Sequence, residues 1–313
     1  MFSVVFPGQG SQSLGMGKEF FDKFDRVKKL FKEADEILNV PISKYILDGP
    51  KDKLDLTFNT QPAIFLVSFS IFSVIKNEFN INLHKAKYFA GHSLGEYSAL
   101  SCADSLSFAE TILLLKKRGN AMQNAVPNGE GGMIAILGST VEIVETIMNE
   151  KKDISSIEIA NDNSIGQIVL SGKNKDLEKF SNSLKEKNIK NIKLAVSAPF
   201  HCKLMTNATE AMKLEIENTN FKDFENILIS NVTANEVSDT QNLKKLLVDQ
   251  IEHRVRWRES IIFMIEKGVK TFVEIGPGKV LSGLIKRINK DVKIYTINSI
   301  DDIKDLKNVW FKK

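Results

Sequence analysis

The sequence predicts an α/β fold in which a large domain built on a parallel sheet is interrupted by a small inserted βαββαβ subdomain. Three observations carry this expectation. Short apolar runs alternate with stretches of helical period along most of the 313 residues. The run Lys87 to Ala90 ends in Gly91-His92-Ser93-Leu94-Gly95 and passes directly into helix formers, which reads as strand, sharp turn, helix. From Gly131 the pattern becomes strand, helix, strand, strand, helix, strand, the ferredoxin-like order.

Taken in order, Phe2-Ser3-Val4-Val5-Phe6 is a first strand stopped by Pro7 and Gly8; with no basic flank and no long apolar core, it does not read as a signal peptide. Apolar spacing predicts a helix over 18–38, and Pro62, suited to a first helical position, opens another over 62–76. The stretch from Pro62 to Ile75 is broken by serines and falls short of the ~18 residues of a membrane span, so a soluble, cytoplasmic protein is expected. Ser107 and Glu110 form a capping-box pair opening a helix over 108–123, with Arg118 near its C-terminal end. The compact unit then runs as strand 132–138, helix 140–150, strands 156–161 and 166–171, helix 174–188 and strand 190–196, with Asn161 to Gly166 as its central hairpin turn. After Pro199 the alternation resumes with helix 202–217, strand 226–231, helices 241–250 and 257–267, strand 271–275, helix 279–287 and strand 293–297, which should rejoin the first sheet. The expected domains are therefore 1–127 with 198–313, and an insertion at 128–197, with the site in the cleft between them.

An apolar content of 42% suits a sizeable core, and the charged 26% is interspersed in sign, which argues against long disorder. The net charge of +4 is mild and comes without a basic block rich in aromatics, so nucleic acid is not an indicated partner. Cys102 and Cys202 show neither zinc or redox spacing nor the density of a disulfide scaffold, in keeping with a reducing compartment.

Gly91-His92-Ser93-Leu94-Gly95 fits the G-x-S-x-G nucleophile elbow, which would expose Ser93 to the cleft. A serine hydroxyl needs a base, and the chain has four histidines. His92 adjoins the serine and should point elsewhere, His253 sits in the charged run Glu252-His253-Arg254, and His84 lies on a polar loop before the elbow strand. His201 follows Ser197-Ala198-Pro199-Phe200 where the insertion returns to the large domain, and is the best candidate; neighbouring Cys202 reads as a small buried side chain. An oxyanion hole would take the backbone N–H of Leu94, after the elbow serine, and one from the glycine-rich segment Phe6-Pro7-Gly8-Gln9-Gly10-Ser11-Gln12, placed at Gln9. That segment lacks the third glycine of a dinucleotide loop, and Gly276-Pro277-Gly278-Lys279-Val280 likewise fails the phosphate-loop pattern, so nucleotide binding is rejected for both. Arg118 could grip a carboxylate with two parallel hydrogen bonds, but by position alone it reads more simply as an exposed helical ion-pair residue.

FPGQGSQ at 6–12, GHSLGEYSAL at 91–100, RGNAMQ at 118–123 and SAPFHCKLM at 197–205 occur in the order seen in malonyl-CoA:acyl carrier protein transacylases, which the chain resembles over nearly its whole length. TQPA at 60–63, IANDNSIGQIVLSG at 159–172 and EIGPGKVLSGL at 274–284 support the resemblance. It implies a large domain related to α/β hydrolases with a ferredoxin-like insertion. It implies Ser93 as nucleophile, His201 as base, Gln9 and Leu94 as oxyanion donors, Arg118 as the partner of the acyl carboxylate, and the Gln250 carbonyl rather than an acid as the group orienting His201. Phe200 resembles the malonyl-selective form of its motif, and Asn161 lies in a segment that would line the thioester channel, although Ile165 stands where many members have proline. The implied partners are malonyl-CoA and acyl carrier protein, whose thioester and phosphopantetheine are substrates; no metal or bound cofactor, nucleic acid or membrane is implied, and a monomer serving fatty acid biosynthesis is expected. A serine esterase or thioesterase using the same elbow is the alternative.

Overall fold

A computed structural model describes residues 1–151, 154–196, 198–224 and 226–310. The strands are β1 (Phe2–Phe6), β2 (Tyr88–Gly91), β3 (Gly131–Leu137), β4 (Glu158–Ser164), β5 (Gln167–Lys173), β6 (Lys190–Lys193), β7 (Ile227–Ile229), β8 (Glu236–Val237), β9 (Thr271–Ile275) and β10 (Lys293–Ile297). They form a mixed α/β structure with two sheets. The central sheet has the order β10-β9-β1-β2-β7-β8 and is parallel except for β8, which pairs antiparallel with β7 at the edge. β1 lies inside it, with Val4 and Phe6 packed into one apolar cluster and Val5 into another. Burial on both faces is why Val4-Val5-Phe6 of β1 reads as a continuous apolar run instead of an alternating one. Phe6 pairs with Gly91 in register, so the chains leaving β1 and β2 emerge side by side at the C-terminal edge of the sheet.

The second sheet has the order β4-β5-β3-β6 and is antiparallel throughout. Its chain order, strand, helix Val141–Glu150, two strands, helix Asn174–Glu186, strand, is the predicted one. Period 2 sorts its faces: Ile134, Ile136 and Leu170 pack with Val144 and Phe180 from the two helices, while Met133, Ala135 and Val169 turn toward the main core. β4 is laced to the segment before helix Trp257–Glu266: Val255 N–H donates to the Ala160 carbonyl (2.8 Å), and Asp162 N–H donates to the Val255 carbonyl (3.0 Å).

Several boundaries differ from the sequence expectation. The helix predicted over 18–38 is two, Lys18–Lys23 and Asp25–Leu38, broken at an extended Phe24 (φ −117°, ψ 117°). Phe24 stacks on Phe20 across the break (6.4 Å between ring centres), a tertiary choice that apolar period cannot register. The second helix spans Thr57–Asn77 and starts five residues before Pro62, because Gln123 of helix Phe108–Asn124 accepts the Thr57 N–H (2.8 Å) and so caps it from outside. Its 21 residues are long and apolar enough to cross a membrane, contrary to the shorter stretch expected, but nearly all of them are buried inside the protein. The strand expected over 226–231 contracts to Ile227–Ile229, and the helix over 202–217 becomes a 3-10 turn, Lys203–Met205, followed by Thr206–Asn218. Helices Ile42–Leu47, Lys51–Leu54 and Ile300–Trp310 and strand β8 were not expected. Ser197, which ends the expected insertion and begins the 197–205 motif, lies outside the described residues, as do the last three residues of the expected 198–313 segment.

Candidate active site

Ser93 stands between β2 and helix Leu94–Cys102 with φ 53° and ψ −112°, a conformation that L-residues rarely adopt. The flanking glycines are demanded by packing. A Cβ on Gly91 would meet the Gly95 backbone at 1.9 Å, and one on Gly95 would meet the Phe6 carbonyl at 2.3 Å. Ser93 occupies the N-cap position, and Ser93-Leu94-Gly95-Glu96 has the spacing of a capping box, yet the serine side chain makes no cap hydrogen bond. Asn231 fills the place that Glu96 would take in such a box, accepting the Ser93 N–H (2.7 Å), while its own amide donates to the Gly91 carbonyl (2.7 Å). The hydroxyl is thereby left for chemistry.

His201 is 4% exposed, and its Nε2 lies 2.8 Å from Ser93 Oγ. Its Nδ1 lies 2.8 Å from the Gln250 backbone oxygen. A carbonyl only accepts, so Nδ1 carries the proton and Nε2 offers its lone pair to the serine hydroxyl. Burial, reinforced by the Arg118 charge, lowers the His201 pKa to about 3, which keeps the ring neutral and able to take a proton. The other histidines fall as the sequence suggested, with one refinement. His92 does line the cavity, but its Nε2 pairs with Asn163 Oδ1 (2.8 Å) instead of the serine. His84 pairs with Asn226 before β2, His253 bonds the Asp249 carbonyl at the surface, and the Cys202 thiol, buried against the Pro199 carbonyl, is pushed up to about 12.

Arg118 is fully buried, so it is not the exposed helical residue that its position alone would suggest. Nη1 donates to Gln61 Oε1 (2.7 Å), and Nη2 donates to Gln250 Oε1 (2.9 Å) and Ser93 Oγ (3.1 Å). The Tyr97 ring lies 5.5 Å from the guanidinium carbon. Among the described residues, no carboxylate comes within ion-pair distance of it. A buried cation held by neutral oxygens alone is costly, and the position beside Ser93 leaves it available to an anionic ligand.

Sequence reasoning missed the layer beneath these groups. Glu96, 1% exposed, accepts from the Gln250 side-chain amide (2.7 Å) and the Asn231 N–H (3.1 Å). Burial raises its carboxyl pKa to about 7 against the pull of those donors and of Arg118. The capping-box spacing Ser93 to Glu96 and the motif at 91–100 are the sequence signals that flag it, and Gln61 falls in the TQPA stretch at 60–63; Asn231 carries none.

Gln9 and Leu94 both line the cavity with Ser93, and among the described residues neither backbone N–H has a hydrogen-bond acceptor. Leu94 opens its helix, so its N–H has no helical partner. The loop bearing Gln9 is pressed onto the elbow: a Cβ on Gly8 would meet the His92 carbonyl at 2.5 Å. The cavity, about 460 Å³, is also lined by His201, Arg118, Phe200 and Asn161, and is roofed by Met133, Ala135 and Val169 from the second sheet. The Asn161 side chain takes no protein hydrogen bond among the described residues, and β4 holds it in place through its bridge to Val255. Among the described residues, no cluster of three or more His, Cys, Asp or Glu side chains could hold a metal ion.

The chain is 42% identical to a malonyl CoA-acyl carrier protein transacylase of Bacillus subtilis over 303 residues, covering 96% of this chain and 94% of the relative. Its fold matches an acyl-carrier-protein S-malonyltransferase of Bartonella henselae with TM-score 0.95 at 43% identity, covering 98% of each chain. It also matches a malonyl-transacylase solved in complex with a type II polyketide synthase acyl-carrier protein, with TM-score 0.92 at 35% identity and 97% of each chain covered. The acyl transferase domain family matches residues 3–308, and the chain belongs to that family.

Proposed function

We propose that this acyltransferase moves a malonyl group from malonyl-CoA to the phosphopantetheine thiol of acyl carrier protein through an ester on Ser93, supplying fatty acid biosynthesis. The observation that carries the reading is Arg118: a fully buried guanidinium, without an acid partner among the described residues, 3.1 Å from the nucleophile. A malonyl ester places a free carboxylate one methylene beyond the carbonyl, within reach of that cation, whereas an uncharged acyl group would leave the cation unpaired.

His201 Nε2 takes the Ser93 proton as Oγ attacks the thioester carbonyl, and the N–H groups of Leu94 and Gln9 receive the oxyanion. Collapse expels the CoA thiolate, which takes the proton from His201. In the second half, the carrier's thiol gives its proton to His201 and attacks the ester, and Ser93 leaves with the proton returned. The Gln250 carbonyl steadies the imidazolium that forms in each half. Phe200, on the cavity wall, disfavours an α-methyl branch; one methyl is worth about 1–3 kcal/mol, so malonyl is preferred over methylmalonyl without absolute exclusion. Asn161 offers its unbonded amide to the pantetheine arm.

The same reading treats residues 1–127 with 198–313 as a domain related to α/β hydrolases and 128–197 as a ferredoxin-like insertion, supported by the parallel sheet, the elbow at its C-terminal edge and the β4-β5-β3-β6 strand order. It takes the enzyme as a cytoplasmic monomer without a bound cofactor. Intact-protein mass spectrometry tests the chemistry. Wild type mixed with malonyl-CoA should gain a malonyl adduct that passes to added carrier bearing its phosphopantetheine arm, and Ser93→Ala should gain none. Free malonate without carrier acylation would mark a thioesterase.

A further inference from the structure

Glu96 is a buried acid that the proposed steps leave unused. It is the third residue of helix Leu94–Cys102, and its carboxylate runs beneath the elbow to Gln250 and Asn231. One of its oxygens, Oε1, is buried without a hydrogen-bond partner among the described residues. An unsatisfied buried acceptor costs stability that an apolar side chain of similar size would avoid. Retaining the carboxylate therefore calls for a role.

Gln250 supplies the link. Its Nε2 donates to Glu96 (2.7 Å) and to the Ser93 carbonyl (3.1 Å), its Oε1 accepts from Arg118 Nη2 (2.9 Å), and its backbone oxygen accepts from His201 (2.8 Å). A side-chain amide turned end for end keeps its shape, so only its hydrogen-bond partners decide which end faces Arg118. Reversed, the amide would set donor against donor at the guanidinium and its oxygen against the Glu96 carboxylate and the Ser93 carbonyl. The contact with Glu96 is the shortest of those that forbid the reversal.

We propose that Glu96 is a positioning residue for acyl-group selection: by accepting the Gln250 amide N–H it holds the Gln250 oxygen on Arg118 and so aims the guanidinium at the acyl group on Ser93. Besides its contact with Ser93 Oγ, the guanidinium is held by two amide oxygens, Gln61 Oε1 on Nη1 and Gln250 Oε1 on Nη2. Releasing one lets the plane tilt. A carboxylate held by two parallel N–H bonds suffers from that tilt more than an acyl group without charge. The inference rests on the reading of Arg118 as the partner of the acyl carboxylate.

The test compares kcat/KM for acylation of Ser93 by malonyl-CoA and by acetyl-CoA in wild type and in Glu96→Leu, Glu96→Asp, Glu96→Gln and Arg118→Ala. Leucine cannot accept and aspartate is one methylene too short, so both should lower the malonyl:acetyl ratio roughly tenfold, as expected for a hydrogen bond to a charged group. Glutamine, whose own oxygen can accept from Gln250, should keep the ratio within about threefold of wild type. Equal losses for both acyl groups in the leucine and aspartate variants would show structural damage alone and overturn the inference, as would a glutamine variant as defective as leucine. Should Glu96→Leu fail to fold, Glu96→Asp carries the same comparison. Arg118→Ala separates the two levels: a collapsed ratio there with intact ratios at Glu96 overturns only the role of Glu96, whereas an unchanged ratio in Arg118→Ala overturns the reading beneath it.

Discussion

Half-buried Arg258 and fully buried Arg118 are treated in opposite ways. Arg258, on helix Trp257–Glu266, meets Asp162 of β4 in a two-toothed ion pair, with Nη2 2.8 Å and Nε 3.0 Å from the carboxylate. Burial lifts the Asp162 carboxyl above its ordinary range and Arg258 pulls it back, so each group answers the other's desolvation. Arg118 lies deeper and, among the described residues, donates only to amide and hydroxyl oxygens. The seam between the second sheet and the main body is closed, and the cavity floor is left electrostatically open. The charge at the seam is paired within the chain; the charge beside Ser93 is not, at some cost to stability, and the proposed malonyl carboxylate would be its partner.

The comparison can be broken in several ways, from the largest expected effect downward. Ser93→Ala should abolish the malonyl adduct in the mass spectrum and lower transfer by roughly 10⁴-fold or more, because oxyanion donors and binding remain but no nucleophile does. Arg118→Ala should lower kcat/KM for malonyl by about 10²–10³-fold and for acetyl far less, as expected when a buried charge pair loses one side. Stability sharpens the contrast. Asp162→Ala should cost about 2 kcal/mol in urea unfolding, by stranding Arg258, without altering the malonyl:acetyl ratio. Arg118→Met should cost less, about 1 kcal/mol, since relief from burying a charge without an ionic partner offsets most of the penalty of leaving the Gln61 and Gln250 side-chain oxygens without this donor. A larger loss at Arg118 than at Asp162 would dissolve the distinction.

The smallest effect concerns protonation. With its pKa depressed to about 3, the folded His201 ring should keep the NMR signature of neutral imidazole down to pH 5, and a transition near 6.5 would contradict its burial. For stability, the unfolded chain binds the His201 proton between 6.5 and about 3 while the folded chain does not, so this residue's contribution is lost as pH falls through that window. Glu96 works in the opposite sense. Raised to about 7, it holds a proton in the folded state that the unfolded chain has released above 4.5, so its contribution declines as pH rises toward 7.

The particular elements show what was legible. Strands β9 and β10 have the predicted bounds, and the Ser107–Glu110 capping box forms as read, because each is specified by residues close in sequence. Ser93 and His201 were legible for the same reason, each belonging to a short motif at a chain turn. The break at Phe24 and the early start of helix Thr57–Asn77 were not, since both depend on distant side chains, a stacked ring in one case and Gln123 in the other. Gln250 was half legible: the resemblance pointed to its carbonyl, but its side chain, which joins Ser93, Glu96 and Arg118, had no local signature.

By itself, then, the sequence determined the alternation of strands and helices, the elbow that presents Ser93, and the family to which the chain belongs, since these follow from periodicity, glycine placement and short motifs. Only the tertiary structure decided that Arg118 is a buried cation with no carboxylate at ion-pair distance among the described residues, that Glu96 lies beneath Ser93, and that a single glutamine ties them together. The physical reason is that burial and hydrogen-bond partnership are properties of what surrounds a side chain. Here the surroundings come from elements up to 157 residues apart, Gln250 and Ser93 among them.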